Sequence, residues 1–265
     1  MEYKLIAIDL DDTLLRNDLT ISERAQKAIS TAIEKGTLVT FATGRMYCSA
    51  LPYALDLGLD LPLITYQGAL VKYADGREVY HRPIELEIAK EVIRFTKPFG
   101  IHTNAYINDE LYMEEATGWG KQYAKIAKAP VHYVELPNTL EQDPTKILFI
   151  DESDKLDELA EKIAQKFPKV INITKSQKTF LEISHPKATK GNALRELAES
   201  LGINRQQVIA IGDNMNDLDM IEYAGCGVAV GNAVTPLKDA ADLIVKSNND
   251  DGVAEAIENL VLKFV

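Results

Sequence analysis

The sequence predicts an α/β fold: a mostly parallel sheet with an α+β segment inserted into its middle. Three observations predict it. Short apolar runs alternate with amphipathic helical stretches at both ends of the chain, the rhythm of strand–helix–strand units. Acidic or glycine-containing turns follow those runs, where an open α/β sheet keeps its ligand crevice. Between about residues 84 and 186 the spacing loosens and Pro98, Pro130, Pro137 and Pro144 fall in loops, which marks a separate unit.

Tyr3 to Leu10 is a short apolar run closed by acids and reads as a buried strand. Thr20 with Glu23 fits a capping box, so a helix is expected over Ile21 to Lys35, stopped by Gly36. A strand at Leu38 to Ala42, a helix at Met46 to Leu57 and a strand at Leu63 to Val71, broken by Gly68, continue the alternation. In the middle, Lys146 to Ile150 and Thr179 to Ile183 read as strands and Leu156 to Phe167 as a helix. The last third predicts a helix at Gly191 to Leu201, a strand at Gln207 to Ile211 and a helix at Asn216 to Tyr223. A strand at Gly227 to Val230, a helix at Thr235 to Ala241, a strand at Leu243 to Val245 and a helix at Val253 to Leu262 follow. Asn248 to Asp251 reads as a polar turn. The expected division is a core of residues 1–83 and 187–265 with an inserted domain at 84–186.

Composition narrows the function. The 265 residues carry 29 basic and 40 acidic side chains, a net charge of −11, which argues against a nucleic-acid backbone as main partner. Screening leaves room for a small phosphorylated substrate held by a few local cations. The N-terminal apolar stretch is short and broken by Asp9, and no run reaches the length of a membrane span, so a cytoplasmic protein without membrane partner is expected. Cys48 and Cys226 show no metal spacing and are expected to be reduced thiols. His81, His102, His132 and His185 lack zinc-ligand spacing, and Gly225, Gly227 and Gly231 do not form a dinucleotide fingerprint.

Four segments carry chemistry. Asp9-Leu10-Asp11-Asp12-Thr13 puts three carboxylates within four residues at a strand end. Taken alone it could be a solvated loop. It could equally supply a nucleophile, an acid/base two residues on, and oxygen ligands for a hard divalent cation. Phe41-Ala42-Thr43-Gly44-Arg45 offers a hydroxyl and backbone N–H groups to phosphate at a strand-to-helix turn, although a helix cap would look the same. Arg45 could reach phosphate or pair on the surface. Lys190 directly precedes Gly191 and a helix, where a cation can neutralise a phosphoryl group and a carboxylate; Lys187 is its local competitor. Gly212-Asp213-Asn214-Met215-Asn216-Asp217 is a second acid-rich strand end, with Asp213 placed to complete a magnesium shell and Asp217 behind it.

In this order the four segments resemble the motifs of the haloacid dehalogenase-like superfamily, phosphatases with an aspartate nucleophile on a Rossmann-like core. The resemblance spans the whole chain. It implies Asp9 as nucleophile and Asp11 as general acid/base, with Asp9, Asp213 and the main-chain carbonyl of Asp11 on Mg²⁺. It also implies Leu10, Thr43, Gly44, Lys190 and Asn216 at the phosphate. Only 29 residues lie between Thr13 and Thr43 but 146 between Thr43 and Lys190, which resembles the Cof-type branch, whose α+β cap follows the second motif. Ile64-Thr65-Tyr66-Gln67-Gly68-Ala69 resembles a stretch where that branch usually has Asn-Gly; here Gln67 stands in place of the Asn. The expected activity is Mg²⁺-dependent hydrolysis of small phosphorylated metabolites, the resemblance favouring sugar phosphates. A phosphomutase and a non-catalytic phospho-acceptor module are the alternatives. Oligomeric state has no reading in the sequence. Substrate choice would lie in the inserted domain, where Tyr106, Tyr112, Trp119 and Tyr123 are candidates, each explicable by packing.

Overall fold

Leu5–Ile8 is fully buried and forms an interior strand of a five-stranded sheet in the computed structural model, which describes residues 2–114, 117–127 and 129–263. Across that sheet the order is Leu243–Ile244, Cys226–Ala229, Val208–Gly212, Leu5–Ile8 and Leu38–Phe41, and every pairing is parallel. Strands flanked on both faces read as continuous apolar runs, as LIAI and VIAIG do here. The chain leaves Leu5–Ile8 toward one edge and later fills the other. The strand order therefore reverses between Leu5–Ile8 and Val208–Gly212, the point at which open α/β sheets hold ligands. Ile8 stands opposite Ile211, and the Asp9 N–H donates to the Ile211 carbonyl at 3.0 Å, so both acid-rich turns emerge side by side.

Several boundaries differ from the sequence reading. The first helix is Glu23–Glu34 and its cap is Ser22, whose Oγ accepts from Ala25 N; Thr20 instead bonds Asp18. Leu63 to Val71 is not one interrupted strand. Leu63–Thr65 and Leu70–Lys72 pair antiparallel around the turn Tyr66–Gly68, and with Glu78–His81 they make a small three-stranded sheet. Asn216 to Tyr223 begins as a 3₁₀ turn, Met215–Asp217, before the helix Leu218–Tyr223. Asn248 lies in the expected polar turn yet is buried: its amide donates to the Leu15 carbonyl at 3.0 Å.

By packing, the chain forms two compact units, Met1–Arg45, Ala50–Val79 and Thr189–Val265 in the first, Met46–Ser49 and Tyr80–Ala188 in the second. The second unit holds a six-stranded sheet with its own apolar core, in which Ala89, Val92 and Ile93 from one helix and Leu156, Leu159 and Ile163 from another meet Ile147, Phe149, Leu181 and Ile183 of the sheet. Tyr123 lies edge-on to Tyr106 and Phe180, and the buried Lys146–Glu182 pair, 3.0 Å apart, sits against the Tyr106 ring. Tyr112 stacks on His132. Both cysteines are free; Cys226 is buried and Cys48 half-buried. Among the described residues no helix is long and apolar enough to cross a membrane.

Candidate active site

Asp9 directly follows the interior strand Leu5–Ile8 and is 5% exposed. Behind it the chain makes one wide turn, Leu10–Leu14, in which the Leu15 N–H reaches the Leu10 carbonyl at 2.8 Å. Asp12 takes the left-handed conformation within that turn, φ 56°, which Asp tolerates better than most residues. The amide of Asn232 donates to the Asp12 carbonyl at 2.7 Å, and the Asn232 Oδ1 accepts from Asn248 N, so the exposed Asn232 and the buried Asn248 together brace the acidic turn. Leu10 points its side chain into the core, leaving its backbone as its polar part.

Lys190 opens the helix Lys190–Ser200, capped by Thr189. Its side chain is fully buried and its Nζ donates to Asp9 Oδ1 at 2.6 Å and to Asp217 Oδ1 at 2.5 Å. Lys187 is exposed. The other oxygen of Asp217 accepts from the N–H groups of Asp213 and Asn214 at 3.0 and 3.1 Å. Asp217 thus shapes its own loop while anchoring the lysine. Thr13 Oγ1 donates to Asp213 Oδ1 at 3.0 Å, tying the first acidic turn to the second across 200 residues.

One oxygen each of Asp9, Asp213 and Asp217 lies within 4.8 Å of the others, a group able to hold a metal ion. Its electrostatics ask for a cation. Burial pushes the Asp9 carboxyl well above the usual carboxylate range, Lys190 pulls it down, and Asp217, Asp213 and Asp11 push it up again. Burial, then Asp217, raise Asp213 to about 7. Burial works against the Lys190 charge, but Asp217 and Asp9 outweigh it and raise its pKa.

Asp11, expected as the acid/base with only its main-chain carbonyl toward the metal, turns its carboxylate to Arg45. Both its oxygens are taken by Arg45, Nε to Oδ2 at 2.8 Å and Nη2 to Oδ1 at 2.7 Å, a bidentate pair that spacing could not announce. Thr43 is fully buried; its Oγ1 accepts from Arg45 N at 3.1 Å, which leaves its proton to donate. Asn216 donates its Nδ2 to Gln67 Oε1 at 3.2 Å. Asn232 and Asn248 are structural members of this site that motif spacing did not single out, while Thr13 and Gln67 stood in the quoted segments without an assigned partner. Polar residues at the ends of neighbouring loops were the available signal.

Comparison with known proteins agrees with this architecture. The family model for haloacid dehalogenase-like hydrolases matches residues 6–257. The chain is 33% identical to the 5-amino-6-(5-phospho-D-ribitylamino)uracil phosphatase YcsE of Bacillus subtilis, over 99% of this chain and 97% of that one. It is similar to the crystal structure of TM0651 from Thermotoga maritima, with 36% identity, a TM-score of 0.84 and 97% of each chain covered. A haloacid dehalogenase-like hydrolase from Bacteroides thetaiotaomicron matches with 30% identity and a TM-score of 0.88, over 97% of this chain and 99% of that one.

Proposed function

We propose, for a chain that belongs to the haloacid dehalogenase-like hydrolase family and is a phosphatase within it, that an Asp9 carboxylate takes the phosphoryl group from small phosphorylated metabolites and water then removes it. The observation that carries this reading is the convergence of Asp9, Asp213 and Asp217, from turns about 200 residues apart, around the buried Lys190 ammonium.

In the first step an Asp9 oxygen bonds to phosphorus, the ester P–O bond breaks, and Asp11 protonates the departing oxygen. In the second, water attacks the phosphorus, Asp11 takes its proton, and the Asp9–phosphorus bond breaks to release inorganic phosphate. Because Arg45 holds both Asp11 oxygens, the leaving-group oxygen must take over one of those bonds. Lys190 offsets charge on Asp9 and on the phosphoryl oxygens. Thr43 donates its hydroxyl, and Gly44, Leu10 and Asn216 supply N–H groups to the same oxygens.

The donor set suits a hard divalent cation: oxygen ligands only, with acidic groups raised by burial and mutual repulsion. Asp9, Asp213 and the Asp11 carbonyl would hold Mg²⁺, while Asp217, with both oxygens engaged, steadies Asp213 and Lys190. When bound, the ion supplies positive charge against the phosphoryl group. The relative named for a ribityl phosphate supports a primary phosphate on a polyol or sugar as substrate, with residues 84–186 as the cap domain that selects it. Purified protein with Mg²⁺ and a panel of phosphorylated metabolites tests the reading. Phosphate release that disappears in Asp9→Asn is expected, because an amide cannot attack; normal turnover in that variant overturns it.

A further inference from the structure

The turn Tyr66–Gly68 has a backbone that sequence propensity does not favour: Tyr66, Gln67 and Gly68 all take positive φ, 51°, 57° and 90°. Two consecutive non-glycine residues in the left-handed region persist only where the surroundings over-determine them, and such strain gathers at functional sites. Here the surroundings are three of the four chemical segments. Tyr66 N and Gln67 N donate to the carbonyls of Arg45 and Thr43, each at 3.0 Å. A Cβ on Gly68 would stand 2.3 Å from the Thr189 carbonyl, one residue before Lys190. The Gln67 side chain, 3% exposed, accepts from Asn216 Nδ2 with Oε1, and its Nε2 lies 2.4 Å from where a Gly44 Cβ would be. The Oδ1 of Asn216 is buried with no hydrogen-bond partner among the described residues, so the bond to Gln67 is what sets the face this amide presents.

We propose that Gln67 is a positioning residue of the phosphate site, holding the Asn216 amide in register with the Thr43–Gly44 turn. The proposal rests on the reading that Asn216 and that turn bind phosphate. Gln67 acts on affinity for the phosphoryl group, through Asn216, and leaves Asp9, Lys190 and the metal ligands where they are.

The test uses Mg²⁺-supported hydrolysis of para-nitrophenyl phosphate by the full chain, with inorganic phosphate as competitive inhibitor. Gln67→Met keeps the length of the side chain and removes its amide. It is expected to raise KM and the phosphate Ki by about tenfold, the effect of one lost hydrogen bond. A smaller change in kcat and an unchanged Mg²⁺ half-saturation should accompany it. Asn216→Ala should give a similar rise in Ki, and the double variant should be no worse than the weaker single one. Multiplying effects, or an unchanged Ki in Gln67→Met beside a raised Ki in Asn216→Ala, overturn the proposal and leave the proposed function standing. An unchanged Ki in Asn216→Ala instead removes the phosphate-site reading, and this inference with it. Should Gln67→Met fail to fold, Gln67→Asn keeps an amide in the turn but withdraws its oxygen by one methylene from Asn216 Nδ2. It is expected to raise Ki severalfold, and an unchanged Ki there is equally fatal.

Discussion

Lys190→Met removes the ammonium held between Asp9 and Asp217 and leaves two buried carboxylates facing one another. Replacing a whole buried ionic cluster by apolar groups can be neutral, but removing one partner costs about 3–5 kcal/mol because the other charge stays buried. For a chain of this size each kcal/mol moves the melting temperature by about 2–4 °C, so a fall of about 6–20 °C is expected. The loss has a pH signature. Burial raises Asp9 well above its unfolded value, and Asp213 to about 7, so the folded state binds more protons than the unfolded one in that window. Stability then falls as pH rises from the unfolded carboxylate range toward those folded values, and the variant, lacking Lys190, falls further. Melting curves of both proteins at about pH 5 and about pH 8, with and without Mg²⁺, measure this. The deficit should be largest at the higher pH without metal. A melting temperature within 2 °C of the parent at about pH 8 would refute the reasoning, since it would mean that Lys190 offsets no buried charge.

Three further outcomes follow from the same geometry. Asp11→Asn should slow both aspartate phosphorylation and phosphate release in rapid-quench kinetics; an unchanged pH–rate profile in that variant contradicts an acid/base role. Gly68→Ala places a Cβ 2.3 Å from the Thr189 carbonyl at φ 90°, and should lower both the melting temperature and kcat/KM, the latter by more than about tenfold as Lys190 is displaced. Protons and Mg²⁺ compete for Asp9 and Asp213, so the thermal stabilisation by Mg²⁺ should grow from about pH 5 to about pH 8 and level off above the Asp213 value near 7; a shift independent of pH contradicts that metal assignment.

Much of this was legible because strand ends and turns are local. The apolar run before Asp9 and the one before Gly212 announce buried parallel strands, and carboxylates at their ends announce the crevice. Partners set by packing were not legible. The Thr20–Glu23 capping-box pattern pointed to Thr20, but its hydroxyl bonds Asp18 and Ser22 takes the cap instead. Nothing about Tyr66 or Gln67 as residue types predicts left-handed backbone, so the hairpin looked like one broken strand. The Arg45–Asp11 pair joins positions 34 residues apart. Asn248 reads as one residue of a polar turn, with nothing to mark it as buried, but the Leu15 carbonyl needs a donor, and burying Asn248 supplies one.

The proposed mechanism requires Asp9 to carry the phosphoryl group. Acid-quenching the enzyme within its first turnover of a phosphorylated metabolite, then locating the bound phosphate by peptide mass spectrometry, tests it most directly. One phosphoryl group is expected on the peptide containing Asp9, at that residue, and none in Asp9→Asn. Phosphate on a different side chain, or turnover with no phosphorylated peptide at any quench time, would contradict it.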